Sequence, residues 1–117
     1  MANPDTTITQ TVTIGAGASL SGTSTKYPGY RLVGIVTAST WDAAKISFAV
    51  SNDGTNFFAL RSGTAEYELA SVTGAWAIPV ETKYFLGWDY VKIRSGISTA
   101  ATNQADATIV TLVFMQI

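Results

Sequence analysis

The side chains here that could do chemistry are few, and most are carboxylates. Asp42, Asp53, Glu66, Glu68, Glu81, Asp89 and Asp106 would in principle supply the acid and base of glycoside cleavage. None lies in a recognisable catalytic motif. Glu66 and Glu68 alternate along one extended stretch and are expected to project into solvent, and Asp53 has a turn role that accounts for it. Asn52, Asp53 and Asn56 form an oxygen-rich group, but the spacing lacks the repeated acids of a calcium loop, so the turn reading is preferred. Histidine and cysteine are both missing from the sequence. That excludes Ser-His-Asp and Cys-His nucleophiles, Cys-based zinc sites and disulfides. The sequence is expected to be non-enzymatic, with no cofactor and no metal.

Aromatic residues offer a second kind of chemistry. Trp41, Trp76, Trp88, Tyr27, Tyr30, Tyr84 and Phe57 could line a sugar-stacking surface, as in carbohydrate-binding modules. The preferred reading makes most of them core or rim residues of a small β-domain. Phe57 is the exception, because its hairpin register turns it away from the core.

That hairpin organises the rest. Ile46 to Leu60 reads ISFAVSNDGTNFFAL, two alternating apolar runs around Asn52, Asp53 and Gly54. The spacing predicts a three-residue loop with Gly54 left-handed, a conformation glycine adopts without penalty. Pairing then sets Ser51 against Thr55, Ala49 against Phe57, Phe48 against Phe58 and Ile46 against Leu60. Ile46, Phe48, Val50, Phe58 and Leu60 share the predicted core face.

The other elements also read as strands. Thr7 to Ile14 alternates, with Ile8, Val12 and Ile14 inward and the threonines outward. Gly15 to Gly29 is a small-residue connection with a short strand near Ser19–Leu20. Tyr30 to Thr37 is apolar on both parities and is expected to be covered on both faces. Trp41 should plug one end of the core, and Tyr67 and Leu69 should point inward from Ala65 to Ala70. Pro79 marks an edge, and Glu81 to Gly87 a corner that tucks in Tyr84 and Phe85. Trp88 to Ser95 directs Val91 and Ile93 inward, with Tyr90, Lys92 and Arg94 outward. Gly96 to Asp106 is a polar loop, and Ala107 to Ile117 closes the chain. About eight short strands without a helical period imply one antiparallel β-sandwich domain, jelly-roll-like, over residues 1–117; a small closed barrel is the alternative.

Charged residues make up only 13% of the 117, and the formal net charge is −1. Globular domains average roughly 25% charged, so this surface suits a protein partly hidden in an assembly. Scattered, balanced charge provides no footprint for a phosphate backbone, and nucleic-acid binding is not expected. The opening MANPDTTITQ has neither a basic nor an apolar signal region, and no apolar run approaches the ~18 residues of a membrane span. No secretory signal and no membrane partner are expected.

Three segments carry a resemblance: YRLVGIVTASTWDAAKISFAVSNDGTNFFAL, then FLGWDYVKIRSG, then STAATNQADATIVTLV. From Tyr30 to Val113 the chain resembles a family of small proteins encoded among the virion structural genes of tailed phages and prophages. The resemblance implies a virion protein that decorates the capsid or forms part of a head spike or tail appendage, with other virion proteins as partners and no catalytic residue. A looser resemblance, through the S-x-DG-x-x-F hairpin and the strand Tyr90 to Arg94, is to discoidin-like jelly rolls. It implies the architecture. A carbohydrate-binding module on a receptor-binding appendage is the alternative function.

Ile109, Val113, Met115 and Ile117 share one face of the last strand, and Val110, Leu112 and Phe114 the other. One face needs a cover beyond a two-layer core. A neighbouring subunit is expected to supply it, making a homo-oligomer or tight capsid contact over this strand or over Trp88–Arg94 beside it. Phe57, Tyr90, Lys92, Arg94 and Phe114 are the expected contact residues.

Overall fold

The protein is described from a computed structural model that covers residues 7–25 and 27–116. Its elements are β1 (Thr7–Ile14), β2 (Ser24–Thr25), β3 (Tyr30–Thr37), β4 (Ala44–Ser51), β5 (Phe58–Ala59), β6 (Arg61–Ser62), β7 (Ala65–Glu66), β8 (Glu68–Val72), β9 (Ala77–Pro79), a 3-10 turn at Thr82–Phe85, β10 (Tyr90–Ile97), β11 (Ala100–Ala101) and β12 (Thr108–Gln116).

The pairing is nested. β1 pairs with β12, β2 with β10, β3 with β9 and β4 with β8, all antiparallel. β12 also pairs with β3, and β10 with β4, which rolls the folded ribbon into two sheets. Their orders, β1-β12-β3-β9 and β2-β10-β4-β8, are those of an eight-stranded jelly roll. β5 and β8 share one edge of β4, interrupted by residues 61–66, which leave the sheet as the β6–β7 hairpin. The short strand expected near Ser19–Leu20 is present as a bridge between Leu20 and Arg94.

Side chains from both sheets fill the space between them: Val12, Ile14, Leu32, Ile35, Val110 and Leu112 from one, Ile46, Phe48, Val50, Val91 and Ile93 from the other. Trp41 closes the core as expected, and Tyr67 and Phe85 join it. The Phe48 ring stacks on Tyr67 at 5.8 Å and meets Phe85 edge-on at 4.9 Å, both favoured aromatic arrangements. Pro79 sits on the edge strand β9, where its missing N–H costs no ladder bond.

Four expectations about the strands and their pairing need correction. The hairpin register is shifted by two residues: Ala49 pairs with Ala59 and Val50 with Phe58, so the loop is longer than three residues. A two-residue shift preserves parity, which is why Phe48, Val50 and Leu60 are still buried. It moves Phe58 out along the edge strand, where it is 62% exposed rather than in the core. Secondly, β3 is not covered on both faces, since Val36 is exposed and Val33 half-buried. A register shift at Val113/Phe114, where Gly34 and then Leu32 are the partners, lets Leu32 and Ile35 both point inward. Part of the double-parity apolar pattern is therefore a bulge. Thirdly, Phe114 is not an outward contact residue: it is 1% exposed and faces the core with Val110 and Leu112. Finally, β10 does not lie beside β12, because the two belong to different sheets. Ile117 lies outside the described residues.

Candidate functional site

Asp53 builds the β4–β5 loop. Its Oδ1 accepts hydrogen bonds from the backbone N–H of Thr55 (2.8 Å) and Asn56 (2.9 Å) and from the Ser51 hydroxyl (2.8 Å). Its Oδ2 accepts from the Asn56 side-chain amide at 2.9 Å. Ser51 Oγ in turn accepts from the N–H of Asp53 and of Gly54. Asn52 is exposed beside it. The Asn56 and Thr55 amide donors, with the Asn56 and Ser51 side chains, stabilise the charged carboxylate and hold Asp53 well below the usual carboxylate range. Its oxygens are committed to the loop. Among the described residues no three acidic, histidine or cysteine side chains cluster to hold a metal.

A depressed pKa means that this carboxylate favours the folded state when charged. Its contribution is complete above the unfolded value of about 4 and is lost as pH falls through the folded one. Asp53→Asn keeps an Oδ1 acceptor but cannot titrate. The gap in urea midpoint between wild type and Asp53→Asn should therefore be widest near neutrality and shrink below about pH 4.

Gly54 has φ +79°, as its spacing predicts, and a Cβ there would stand 3.2 Å from the Tyr90 ring. Gly54→Ala should cost about 1–2 kcal/mol, from left-handed strain plus that contact, read by urea denaturation. The loop lies against the outer face of β10, and so do its neighbours. Lys92 Nζ is 4.4 Å from the centre of the Phe57 ring. Arg94 Nη1 is 3.3 Å from Glu66 Oε2, and both side chains are largely buried. The Glu66 carboxylate also accepts from the N–H and hydroxyl of Ser98. Glu66 thus does not project freely into solvent; the β6–β7 excursion folds it onto β10. Glu68 is exposed and pairs with Lys45 at 2.8 Å.

Of the expected contact residues, Phe57, Tyr90, Lys92 and Arg94 do share one outer face, but each is partly covered by the chain's own loops. Phe114 is on the opposite sheet. A cleft of about 620 Å³ runs beside this face between Arg61, Glu66, Tyr67, Ile97 and Ser98. The aromatic set also divides. Trp41 is buried, Trp88, Tyr30, Tyr84 and Phe57 are half-buried, and Trp76 and Tyr27 are exposed.

The outer face of β1-β12-β3-β9 is open and carries both threonine and apolar side chains. Cross-strand neighbours form rows across it: Thr13 and Ile109; Thr11, Thr111, Val36 and Ala77; Thr9, Val113, Gly34 and Pro79; Thr7, Met115 and Arg31. Ile109 is 50% exposed. A shallow depression of about 270 Å³ opens over Gly34, walled by Val33, Val36, Val113 and Pro79. Arg31 is the one charged residue in these rows. The sequence shows both apolar faces of β12 without saying which is outward; Phe114, expected as a contact, faces the core.

No protein-family model matches the chain, and no curated protein matches it. Among solved structures the fold is similar to the crystal structure of SPBc2 prophage-derived protein YomS, at 15% identity and a TM-score of 0.50, over 97% of this chain and 99% of that one. At that identity the likeness establishes a shared all-β architecture.

Proposed function

We propose that this protein is a non-enzymatic structural component of a phage virion, decorating the capsid or forming the base of a head spike or appendage through protein–protein contacts. The observation that carries this reading is the open face of β1-β12-β3-β9, apolar or hydroxyl-bearing apart from Arg31, on a chain with few charges. Such a face gains by being covered. The prophage origin named for YomS, whose fold is similar along the whole chain, supports the same setting. Mass spectrometry of gradient-purified particles from the phage or prophage that encodes the protein is the test. Co-purification in multiple copies is expected. Absence from intact particles would overturn the proposal, and specific hits on a glycan array by the isolated protein would favour a carbohydrate-binding module instead.

A further inference from the structure

We infer that the β6–β7 hairpin, residues 61–66, is a strap fastened to β10 and the turn after it by one carboxylate, Glu66, and that it opens without unfolding the sandwich. This goes beyond the virion reading and does not depend on it.

The strap interrupts an edge. β5 pairs with β4 at Ala49 and Val50, and β8 pairs with it at Ala44, Ile46 and Ser47. Between them the chain leaves the sheet, pairs with itself at Arg61–Glu66 and Ser62–Ala65, and returns. The neck is closed where the Tyr67 N–H donates to the Leu60 carbonyl at 2.8 Å. Leu60 and Tyr67 are both core residues, whereas none of residues 61–66 belongs to the core.

Beyond the neck, polar contacts hold the strap. The Arg61 guanidinium donates to the Gly63 and Thr64 carbonyls, which lie inside the strap itself. Among the described residues, the hydrogen bonds that join the strap to the rest of the fold all run through Glu66. Its carboxylate accepts from Arg94 Nη1 at 3.3 Å and from the N–H and hydroxyl of Ser98 at 2.8–3.1 Å. The cleft of about 620 Å³ is lined by Arg61, Ser62 and Ala65 of the strap and by Ile97, Ser98 and Thr99 of the turn. The Glu66–Ser98 bonds tie these two sides together.

A shielded ion pair is costly to break when packing keeps the abandoned charge away from water. Here packing does not. The Glu66 and Arg94 side chains are only 14% and 15% exposed, yet swinging the strap outward returns both charges to water with no loss of core burial. Opening is therefore a local event of low free energy, separate from global unfolding. It also frees the outward side of β4. Ser47 is wholly buried there, its hydroxyl donating to the Gly96 carbonyl at 2.7 Å and accepting from the same Arg94 nitrogen at 3.4 Å. The strap decides whether the Arg94 guanidinium is covered or reachable.

Trypsin reads the strap in the native full chain, because Arg61 is its first residue and is exposed. The wild type should be cut slowly after Arg61. Glu66→Ala should be cut there about 10- to 100-fold faster, the factor set by hydrogen bonds to a charged group. Mass analysis identifies the fragment 62–117. The urea midpoint, followed by tryptophan fluorescence, should stay near that of the wild type. Arg94→Met, which removes the cation of the pair, should accelerate the same cut. Glu68→Ala is the control: it breaks the exposed Lys45 pair on neighbouring β8 and should leave the Arg61 rate unchanged. A wild-type rate in Glu66→Ala overturns the inference, as does equal acceleration in Glu68→Ala. So does a Glu66→Ala protein cut at all its basic residues together, since strap and sandwich would then open as one. A wild type cut after Arg61 as fast as the urea-unfolded chain would show that nothing is fastened.

Discussion

Phe48→Ala will destabilise the protein by about 3–5 kcal/mol, the range for truncating a fully buried aromatic. Phe48 has no exposed surface and contacts the Tyr67 and Phe85 rings in the middle of β4. Two of its partners, Tyr67 and Phe85, come from outside the regular ladders, so truncation also loosens the segments that carry them. Tyr67 has a further duty, since its hydroxyl accepts the Glu81 N–H at 2.9 Å, and burial pushes its pKa up. Phe57→Ala is the control. It removes a half-buried ring whose named partner is Lys92, and it should cost about 1 kcal/mol. Equal losses in urea unfolding would contradict the assigned parity of β4 and β5.

Gln104→Leu should cost a similar 3–5 kcal/mol, for an opposite reason. The side chain is wholly buried, yet it is polar and fully used. Its Oε1 accepts the Asp42 N–H at 2.7 Å, and its Nε2 donates to the Asp42 carbonyl at 3.2 Å and to Ser95 Oγ at 2.9 Å. The backbone of the same residue donates to the Ala18 carbonyl and accepts from the Gly17 N–H. Asp42 returns the favour through Oδ2, which accepts the Ala105 N–H at 2.8 Å. One residue thus ties together the loop after β1, the loop before β4 and strand β10. Leucine fills the volume but strands several buried groups without partners, at about 1–3 kcal/mol each. Thermal unfolding that moves by only a degree or two would show that water replaces the amide.

Gln104 was illegible in the sequence, and the reason is physical. It sits in STAATNQADAT, a polar loop by composition, and nothing local distinguishes a glutamine that faces water from one that faces three buried groups. The strands were legible because a two-residue period reports which side of a sheet is apolar. Ile8, Val12 and Ile14, or Val91 and Ile93, lie where that period puts them. Gly54 was legible because only its backbone demand mattered. Loop length was not: Asp53 gathers donors from Thr55 and Asn56 and so extends the turn past the shortest connection. The outward side of β12 was ambiguous for the same reason that β12 is central. A strand apolar on both faces carries no record of which one meets the second sheet, and Phe114 rather than Ile109 proved to be inside.

The nested pairing also governs the order in which the protein can be made. β12 occupies the slot between β1 and β3, so one whole sheet lacks its middle strand until residues 108–116 have been synthesised. Contacts between such distant segments close slowly, on the ms–s scale typical of all-β domains. Until then β1 and β3 each present an unpaired edge of N–H and C=O groups at the place where β12 belongs. At high copy number a neighbour's β12 can fill that slot as well as the chain's own, and the product is a strand-swapped dimer. Such a dimer would dissociate only on unfolding.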